Sequence, residues 1–269
     1  MRITTPELVL LLIIATLGHL MALFWYLAVT RNWRICERVI YDLPISKEQI
    51  RRELRNSLHA PIHALLLALL LYLGFFKRAG WLSFVFSLVL ATIWAEIWHY
   101  ASHRAFHLRW LHWIHREHHK SHLNSWLTAI SFSFSEKLIF DTGYLGVLAV
   151  VDHWFSLNVF GVGGWYVGYL VINSFSHANF ELKSQNYNRG LGKVITSTTY
   201  HSLHHSRYTG NYGLGTRVLD RIFKTEWDDY ERLYDRVSKE KRPLRRLSEK
   251  ILPATSRGQT ESNLISARR

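Results

Sequence analysis

Residues 81–107, WLSFVFSLVLATIWAEIWHYASHRAFH, combine an apolar segment with a pair of histidines. Residues 81–98 hold one charged residue, and as a helix they approach the roughly 30 Å apolar thickness of a bilayer. The segment runs directly into His103 and His107, whose i, i+4 spacing places both imidazoles on one helix face. This pattern predicts a helical membrane protein with a histidine-rich site at one membrane surface.

Four other apolar segments extend this prediction to a helical bundle. Residues 8–29 contain no Lys, Arg, Asp or Glu. They lack the basic start and cleavage site of a signal peptide, so a retained anchor is expected. The others are 56–76, 142–158 and 161–176, of which 142–158 contains an acid and a histidine and is expected to be shallow or re-entrant. The predicted fold class is therefore an all-α integral-membrane bundle with about three to five membrane segments.

The charge distribution predicts how the bundle is oriented. The formal net charge is +13, and seven basic residues lie within 31–55, whereas only Arg2, Lys77 and Arg78 would lie on the opposite side. Basic loops face the cytoplasm in membrane proteins, and the apolar hairpins return the chain to that side before each histidine cluster. We expect a cytoplasmic histidine-rich helical cap on a bacterial inner membrane or endoplasmic reticulum membrane. Because the basic residues flank apolar spans, no nucleic-acid partner is expected.

Three histidine clusters, spaced HxxxH, HxxHH and HxxHH, indicate a metal site. They consist of His103, His107, His115, His118, His119, His201, His204 and His205. Imidazole is a ligand for iron, copper, nickel and zinc. A structural zinc site needs four ligands, commonly with cysteine, and the single Cys36 excludes both a CxxC site and an internal disulfide. Eight imidazoles exceed the needs of one zinc ion and fit two metal ions that share a pocket.

The clusters and their flanks resemble the fatty acid hydroxylase/sterol desaturase superfamily of integral-membrane, non-haem di-iron oxidases. The resemblance covers about 90–230. It rests on the acidic-Tyr-HRxxH segment from Glu96 to His107, on the third cluster followed by NYG at 211–213, and on the DRIFKT segment 220–225. Leu219 and Lys224 depart from the WDRxFGT pattern of that superfamily. The resemblance implies that the eight histidines are iron ligands and that His177 is a ninth.

The resemblance also implies a chemistry. It implies two iron ions, O2 as co-substrate, a membrane lipid as substrate, and a b-type cytochrome or a ferredoxin with its reductase as electron donor. The electrons would come from outside, because the chain shows no Rossmann, haem or iron–sulfur motif of its own. The resemblance implies NAD(P)H as their ultimate source. We expect hydroxylation of a C–H bond of a fatty acyl, sphingolipid or sterol substrate, with desaturation as the alternative. More remote alternatives are a zinc-dependent membrane hydrolase, with Glu117 as its base, and a non-catalytic metal-binding membrane protein.

Four residues near the clusters are expected to support the ligands, namely Glu96, His99, Tyr100 and His122. Glu96 shares a helix face with His99 and Tyr100, so its carboxylate could accept a hydrogen bond from a ligating imidazole; an ordinary interfacial acid is equally compatible with the sequence. His99 continues the face of His103 and His107, so helical register alone does not select the ligating pair. The Tyr-xx-His-Arg frame of the resemblance favours His103 and His107.

The remaining histidines and the tryptophans carry simpler expectations. His112 could orient a ligand or bind water near the second cluster. The residues expected to be plain helix or interface residues are His19, His59, His63 and His153. The tryptophans near the first two clusters form an interfacial belt or substrate walls, namely Trp94, Trp98, Trp110, Trp113 and Trp126.

Three regions are expected along the chain. Residues 1–80 form a membrane anchor and a basic cytoplasmic linker, and residues 81–235 form the catalytic domain that resembles fatty acid hydroxylases. Residues 236–269 form a basic, flexible tail, because charged residues dominate from Lys239 to Lys250.

Overall fold

A computed structural model describes residues 3–251, which contain helices and isolated β-bridges but no extended strand. Five longer helices form the apolar bundle: α1 (Thr5–Thr30), α3 (Ile62–Tyr72), α4 (Trp81–Phe106), α6 (Phe134–Phe155) and α7 (Val159–Ser176). Five shorter ones lie around them: α2 (Lys47–Asn56), α5 (His112–His119), α8 (Thr198–Arg207), α9 (Val218–Ile222) and α10 (Tyr230–Ser238). The predicted all-α class is confirmed.

Side-chain caps fix the starts of the helices that carry site residues. The Ser133 hydroxyl accepts a hydrogen bond from the Glu136 N–H at 3.1 Å at the start of α6. Ser197 does the same for the Tyr200 N–H at 3.3 Å at the start of α8. Asn158 caps α7 by accepting from the Phe160 N–H at 2.8 Å. Such caps satisfy backbone donors that the first helical turn leaves unpaired.

The bundle is apolar on both its inner and its outer faces. Its core holds fully buried residues such as Leu67, Leu71 and Val162. Its outward faces expose large apolar side chains, including Leu20 and Leu82. Four helical stretches are long and apolar enough to cross a membrane: α1, the continuous run Lys47–Tyr72, α4 and α6. This number agrees with the predicted three to five membrane segments.

The helix ends far from the histidines are joined by polar contacts. Lys77 Nζ donates to Glu7 Oε1 at 2.8 Å, which joins the start of α1 to the loop before α4. Asp152 accepts from the Phe76 N–H at 3.0 Å. The Asn158 side chain donates to the Arg78 carbonyl oxygen at 2.8 Å. The acid within 142–158 thus lies near the end of a continuous helix, and the expectation of a re-entrant segment is wrong.

The histidine clusters lie at the opposite end of the bundle. The first lies at the carboxyl end of α4, the second on α5 and the third on α8. α2 joins this end through Glu53, a fully buried acid whose carboxylate accepts from the Thr128 hydroxyl at 2.9 Å. Residues 3–80 therefore include segments that pack into the same body as the clusters.

Residues 236–251 also pack into the body. The fully buried Leu244 donates its N–H to the Ile40 carbonyl oxygen at 2.7 Å, and its own carbonyl accepts from the Asp42 N–H at 3.0 Å. The expected flexible tail is therefore not found over 236–251. Residues 252–269 of that tail lie outside the described residues.

Gly161 allows α7 to pack closely against α4. A Cβ atom at this position would lie 2.6 Å from the backbone carbonyl oxygen of Phe84. Gly161→Ala should therefore push the helices apart and destabilise the fold by about 1–3 kcal/mol, lowering the midpoint of thermal unfolding in detergent. Gly164→Ala is the matched control, because nothing lies within 4 Å of its added Cβ. Equal midpoints for the two variants would contradict this packing.

Candidate metal centre

Nine buried or half-buried histidines converge in two groups. In each group, one nitrogen per imidazole lies within 4.8 Å of the others. The first group consists of His103, His107, His115, His119 and His204, and the second of His118, His177, His201 and His205. The structure therefore brings together all eight cluster histidines and His177, the ninth suggested by the resemblance.

Each group draws on several helices. The HxxHH spacing separates the ligating faces, because adjacent histidines on a helix point about 100° apart. On α5, His118 therefore enters the second group while His119 enters the first. On α8, His204 and His205 divide in the same way. The second and third clusters therefore each contribute histidines to both groups.

Six of the nine imidazoles are fixed through Nδ1. The Nδ1 of His115 lies 2.5 Å from the Glu136 carboxylate. The other five face backbone carbonyl oxygens at 2.8–3.0 Å, in the pairs His103–Tyr212, His118–Ser131, His177–Asn173, His204–Gly210 and His205–Ser121. An acceptor at Nδ1 places the hydrogen there, so Nε2 presents its lone pair. Metal-binding histidines are commonly oriented in this manner.

The resulting lone pairs face one another. His177 Nε2 lies 3.1 Å from His205 Nε2 and 3.4 Å from His118 Nε2. All three imidazoles carry their hydrogen on Nδ1, so no hydrogen bond can join these Nε2 atoms. A cation among them would satisfy all three lone pairs. The donor set thus fits a metal ion that prefers imidazole.

Burial keeps the imidazoles in the form that binds metal. Loss of hydration lowers the pKa of His118 to about 4. It also holds the pKa of His119, His201 and His205 well below the ordinary value, and neighbouring imidazoles add to the effect. Metals bind neutral imidazole, so these side chains need not lose a proton at neutral pH to act as ligands.

Glu136 is a site residue that the sequence analysis missed. Its side chain is buried, and the carboxylate holds the His115 imidazole through Nδ1. Ser133 followed three positions later by Glu136 is a sequence pattern typical of a helix start, and it could place Glu136 in the first turn of α6. It could not reveal the contact with His115, which lies 21 positions away in the chain.

Glu96 and Tyr100 lie near the first group but do not contact its imidazoles. The Glu96 carboxylate accepts from the Thr216 N–H at 3.1 Å and from its hydroxyl at 2.8 Å. The Tyr100 hydroxyl lies 3.0 Å from the Thr225 hydroxyl. The expected bond from Glu96 to an imidazole is therefore not formed. Both residues instead support the segment that follows the third cluster.

His99, His112 and His122 lie outside the two groups. The His99 ring is 5.1 Å from that of His103, and neither of its buried nitrogens has a hydrogen-bond partner within residues 3–251. His112 and His122 lie beside the Tyr208 ring, at 5.9 and 5.3 Å between centroids. The structure thus places His103 and His107, but not His99, in the first group. Helical register alone did not distinguish among these three residues.

His63 lies on the helix α3, as the expectation of a helix or interface residue allows, and it belongs to the core. It is fully buried, and its Nδ1 lies 3.1 Å from an Asp141 carboxylate oxygen. His59 is half-buried and lies 2.8 Å from the Phe132 carbonyl oxygen. His19 is half-buried on α1 and His153 is exposed near the end of α6, as expected for helix or interface residues.

Asp220 holds the turn that supports His103. The buried carboxylate accepts four hydrogen bonds at 2.6–2.9 Å, from the Tyr200 and Thr225 hydroxyls and from the N–H groups of Tyr212 and Gly213. The carbonyl of Tyr212 in turn accepts from His103. Gly213 is required here, because a Cβ would lie 2.2 Å from the Thr216 carbonyl oxygen. The NYG and DRIFKT segments therefore act together in orienting one imidazole.

An apolar cavity adjoins both histidine groups. It is narrow, with a volume of about 50 Å³, and its lining includes His103, His118 and His177. Its other walls include Phe106, Ile130, Phe132, Phe140 and Leu170. None of the five tryptophans near the clusters lines this cavity in the described chain. Trp98 packs on α6, donating to the Phe140 carbonyl oxygen at 2.9 Å, and Trp110 is 71% exposed; these positions do not support tryptophan substrate walls.

The family model named "Fatty acid hydroxylase" matches residues 88–225, just over half of the chain. This chain belongs to the fatty acid hydroxylase family. The matched range contains all nine histidines of the two groups as well as Glu136 and Asp220. Membership confirms the resemblance found in the clusters and their flanks.

Curated relatives also match about half of the chain. The very-long-chain aldehyde decarbonylase GL1-6 of Oryza sativa subsp. indica is 30% identical over 144 residues, which is 52% of this chain and 22% of the relative. The very-long-chain aldehyde decarbonylase CER1 of Arabidopsis thaliana is 24% identical over 143 residues, or 52% of this chain and 23% of the relative. The chain thus matches less than a quarter of the length of either protein. No solved structure gave a significant match.

Asp220→Asn should destabilise the metal centre of this family member. The amide nitrogen of Asn would face hydrogen-bond donors in place of an acceptor, at a cost of about 1–3 kcal/mol for each buried group left unpaired. We expect a lower unfolding midpoint in detergent and a lower metal content per chain. Asp228→Asn is the control, because Asp228 is exposed. Wild-type stability and metal content in Asp220→Asn would contradict the proposed role of this carboxylate.

Proposed function

We propose that this chain is a membrane-bound non-haem di-iron oxygenase that hydroxylates a C–H bond of a lipid, using O2 and electrons from an external carrier. The observation that carries the proposal is the pair of histidine groups beside an apolar cavity. Membership of the fatty acid hydroxylase family supports a lipid as the substrate class. The four apolar helical stretches support a membrane location, which gives the site access to lipids.

Each histidine group would hold one iron ion. Neutral imidazoles suit iron, and the absence of cysteine from both groups fits the same choice of metal. Two iron ions bound there would supply, with O2, the power to oxidise an unactivated C–H bond. Side-chain acid–base catalysis could not replace the metals, because an unactivated C–H bond of a lipid chain has no acidic proton for a base to remove.

The protein's own residues would orient the imidazole ligands and enclose the lipid substrate. The carbonyl groups at Nδ1 and the Glu136 carboxylate hold the imidazole rings in one orientation, so less reorganisation is needed when metal binds. The aromatic wall formed by Phe106, Phe132 and Phe140 would pack against the lipid chain and exclude water. His103 of the first group and His118 and His177 of the second all line the cavity, so both irons would lie next to the same substrate.

The orientation and the electron donor belong to the same proposal. The histidine end would face the cytoplasm, because the basic stretch 31–55 includes most of α2, which packs at that end. The donor would be a b-type cytochrome, or a ferredoxin with its reductase, drawing on NAD(P)H. A basic face would speed the approach of an acidic carrier.

A second candidate is the cleavage of a long-chain aldehyde. The observation that favours it is the similarity to proteins named very-long-chain aldehyde decarbonylases. Desaturation is a third outcome compatible with the same metals. The three differ in product: a hydroxylated lipid of unchanged length, a shortened hydrocarbon, or an unsaturated lipid.

A zinc-dependent hydrolase gains little support. Glu117, the base expected for it, pairs with Lys120 at the protein surface. Its carboxylate is thus engaged outside the two histidine groups. Activity that persists without O2, with zinc as the only functional metal, would contradict the oxygenase proposal.

Comparison of lipids from cells with and without the gene, grown under ¹⁸O₂, tests the reaction. We expect a lipid whose mass is raised by one ¹⁸O atom only when the gene is present, because hydroxylation inserts an oxygen atom from O2. An unsaturated product without ¹⁸O would favour desaturation, and a shortened hydrocarbon would favour aldehyde cleavage. Either result would contradict hydroxylation as the main activity.

Loss of single histidines tests the two-iron assignment. His204→Ala and His205→Ala each remove a ligand from a different group, so each should lower the iron content of anaerobically purified chain from about two to about one or less and abolish lipid oxidation. His122→Ala is the control, because it lies outside both groups. Full iron content and activity in either of the first two variants would contradict the assignment.

A further inference from the structure

A buried charged cluster lies beside the metal centre, within the apolar bundle. Lys137 on α6 donates to the Asp141 carboxylate at 2.5 Å and to the Tyr166 hydroxyl at 2.8 Å. The other Asp141 oxygen lies 3.1 Å from His63 Nδ1. All four residues are less than 9% exposed. Ionisable groups inside a membrane bundle are costly and are usually functional.

The cluster is balanced in charge. The Lys137 ammonium offsets the Asp141 carboxylate, and neutral His63 gives its Nδ1 hydrogen to the same carboxylate. Both Asp141 oxygens are therefore occupied. The His63 ring also stacks on Tyr166 with 3.3 Å between centroids. His63 and Asp141 thus hold Lys137 and Tyr166 in position.

Two hydrogen-bond donors of this cluster remain unused. An ammonium has three N–H bonds, and Lys137 directs two of them at Asp141 and Tyr166. The Tyr166 oxygen accepts from Lys137, which leaves its own O–H hydrogen free. Within residues 3–251 neither this hydrogen nor the third N–H has an acceptor. Buried donors without acceptors are expensive, so an acceptor from a ligand would stabilise them.

Lys137 and Tyr166 line the same cavity as His103, His118 and His177. Lys137 lies close to the aromatic wall as well, with Nζ 5.9 Å from the centre of the Phe132 ring. A molecule in this narrow cavity would therefore meet the two unused donors and the histidine groups at the same time.

We propose that Lys137 and Tyr166 bind the carbonyl oxygen of a neutral lipid, such as a long-chain aldehyde or ketone, inside the cavity. A carbonyl oxygen has two lone pairs, so one atom could accept from both donors, which are 2.8 Å apart. A carboxylate would add an uncompensated charge, because Asp141 already neutralises Lys137. This assignment rests on the proposed function, whose substrate class it narrows to lipids with an uncharged carbonyl near the reacting carbon.

Competition binding to the full chain in detergent tests the assignment without turnover. Labelled 2-heptadecanone is displaced by unlabelled 2-heptadecanone, heptadecane or heptadecanoate under anaerobic conditions without reductant, and iron is measured on the same samples. For the wild type, the ketone should compete at least about tenfold better than the alkane, the effect of one to two buried hydrogen bonds. The ketone should also compete better than the carboxylate.

Variants assign the preference to these side chains. Tyr166→Phe should reduce the ketone-to-alkane ratio by about three- to tenfold, the loss of one hydrogen bond. The double variant Lys137→Met with Asp141→Asn should reduce it further, and it removes cation and anion together so that no unpaired charge is left buried. Tyr144→Phe is the matched control: it removes a buried hydroxyl from α6 that does not line the cavity, and should leave the ratio unchanged.

The outcomes separate this assignment from the metal proposal. Equal competition by ketone and alkane in iron-loaded wild type, or an unchanged ratio in both Tyr166→Phe and the double variant, would overturn it. Tighter binding of heptadecanoate would overturn the neutral carbonyl. A ketone preference that depends on Tyr166 in a chain that never binds iron would support this assignment while contradicting the proposed function.

Discussion

Nine neutral imidazoles are buried together, and in the second group the lone pairs of His118, His177 and His205 face one another across 3.1–3.4 Å. Such an arrangement is unfavourable unless a cation occupies the space among the rings. It persists because the Nδ1 side of each of these rings is bonded to a backbone carbonyl. The backbone carbonyl groups around the site therefore orient the Nε2 lone pairs of these three histidines towards one another. The need to fix each ring through Nδ1 explains why backbone carbonyl groups in the polar segment after α7, such as those of Gly210 and Tyr212, contact the histidines.

Both the apolar helical bundle and the polar segments at its histidine end contribute to the site. The carboxyl ends of α4 and α7 lie at the site, where α4 contributes His103 and His177 directly follows α7. The second and third clusters lie on the short helices α5 and α8, and the carbonyl groups that orient their imidazoles lie in the segments that follow those helices. Asp220 illustrates the connection, since one carboxylate gathers the turn whose carbonyl receives the His103 hydrogen. A change at a residue outside the two histidine groups, such as Asp220, can therefore alter the orientation of an imidazole within them.

Much of the site could be predicted from spacing alone. The HxxxH and HxxHH patterns located eight of the nine histidines because helical periodicity is a local property, and the apolar segments located the helices for the same reason. The partners could not be predicted. Glu136 meets His115, and His63 meets Asp141, only because α5, α6 and α3 pack together. Periodicity shows which face of a helix is special, but not which other helix it meets.

Fatty acid hydroxylase family membership and the two histidine groups lead to one central claim, that this chain binds two iron ions through histidine nitrogen. Iron K-edge absorption spectroscopy of the anaerobically purified full chain, with metal analysis of the same sample, tests it most directly. The claim predicts about two iron ions per chain, one for each group, with a nitrogen ligand shell and the outer-shell scattering typical of imidazole. A chain that binds a single metal ion, or zinc in place of iron, would contradict it.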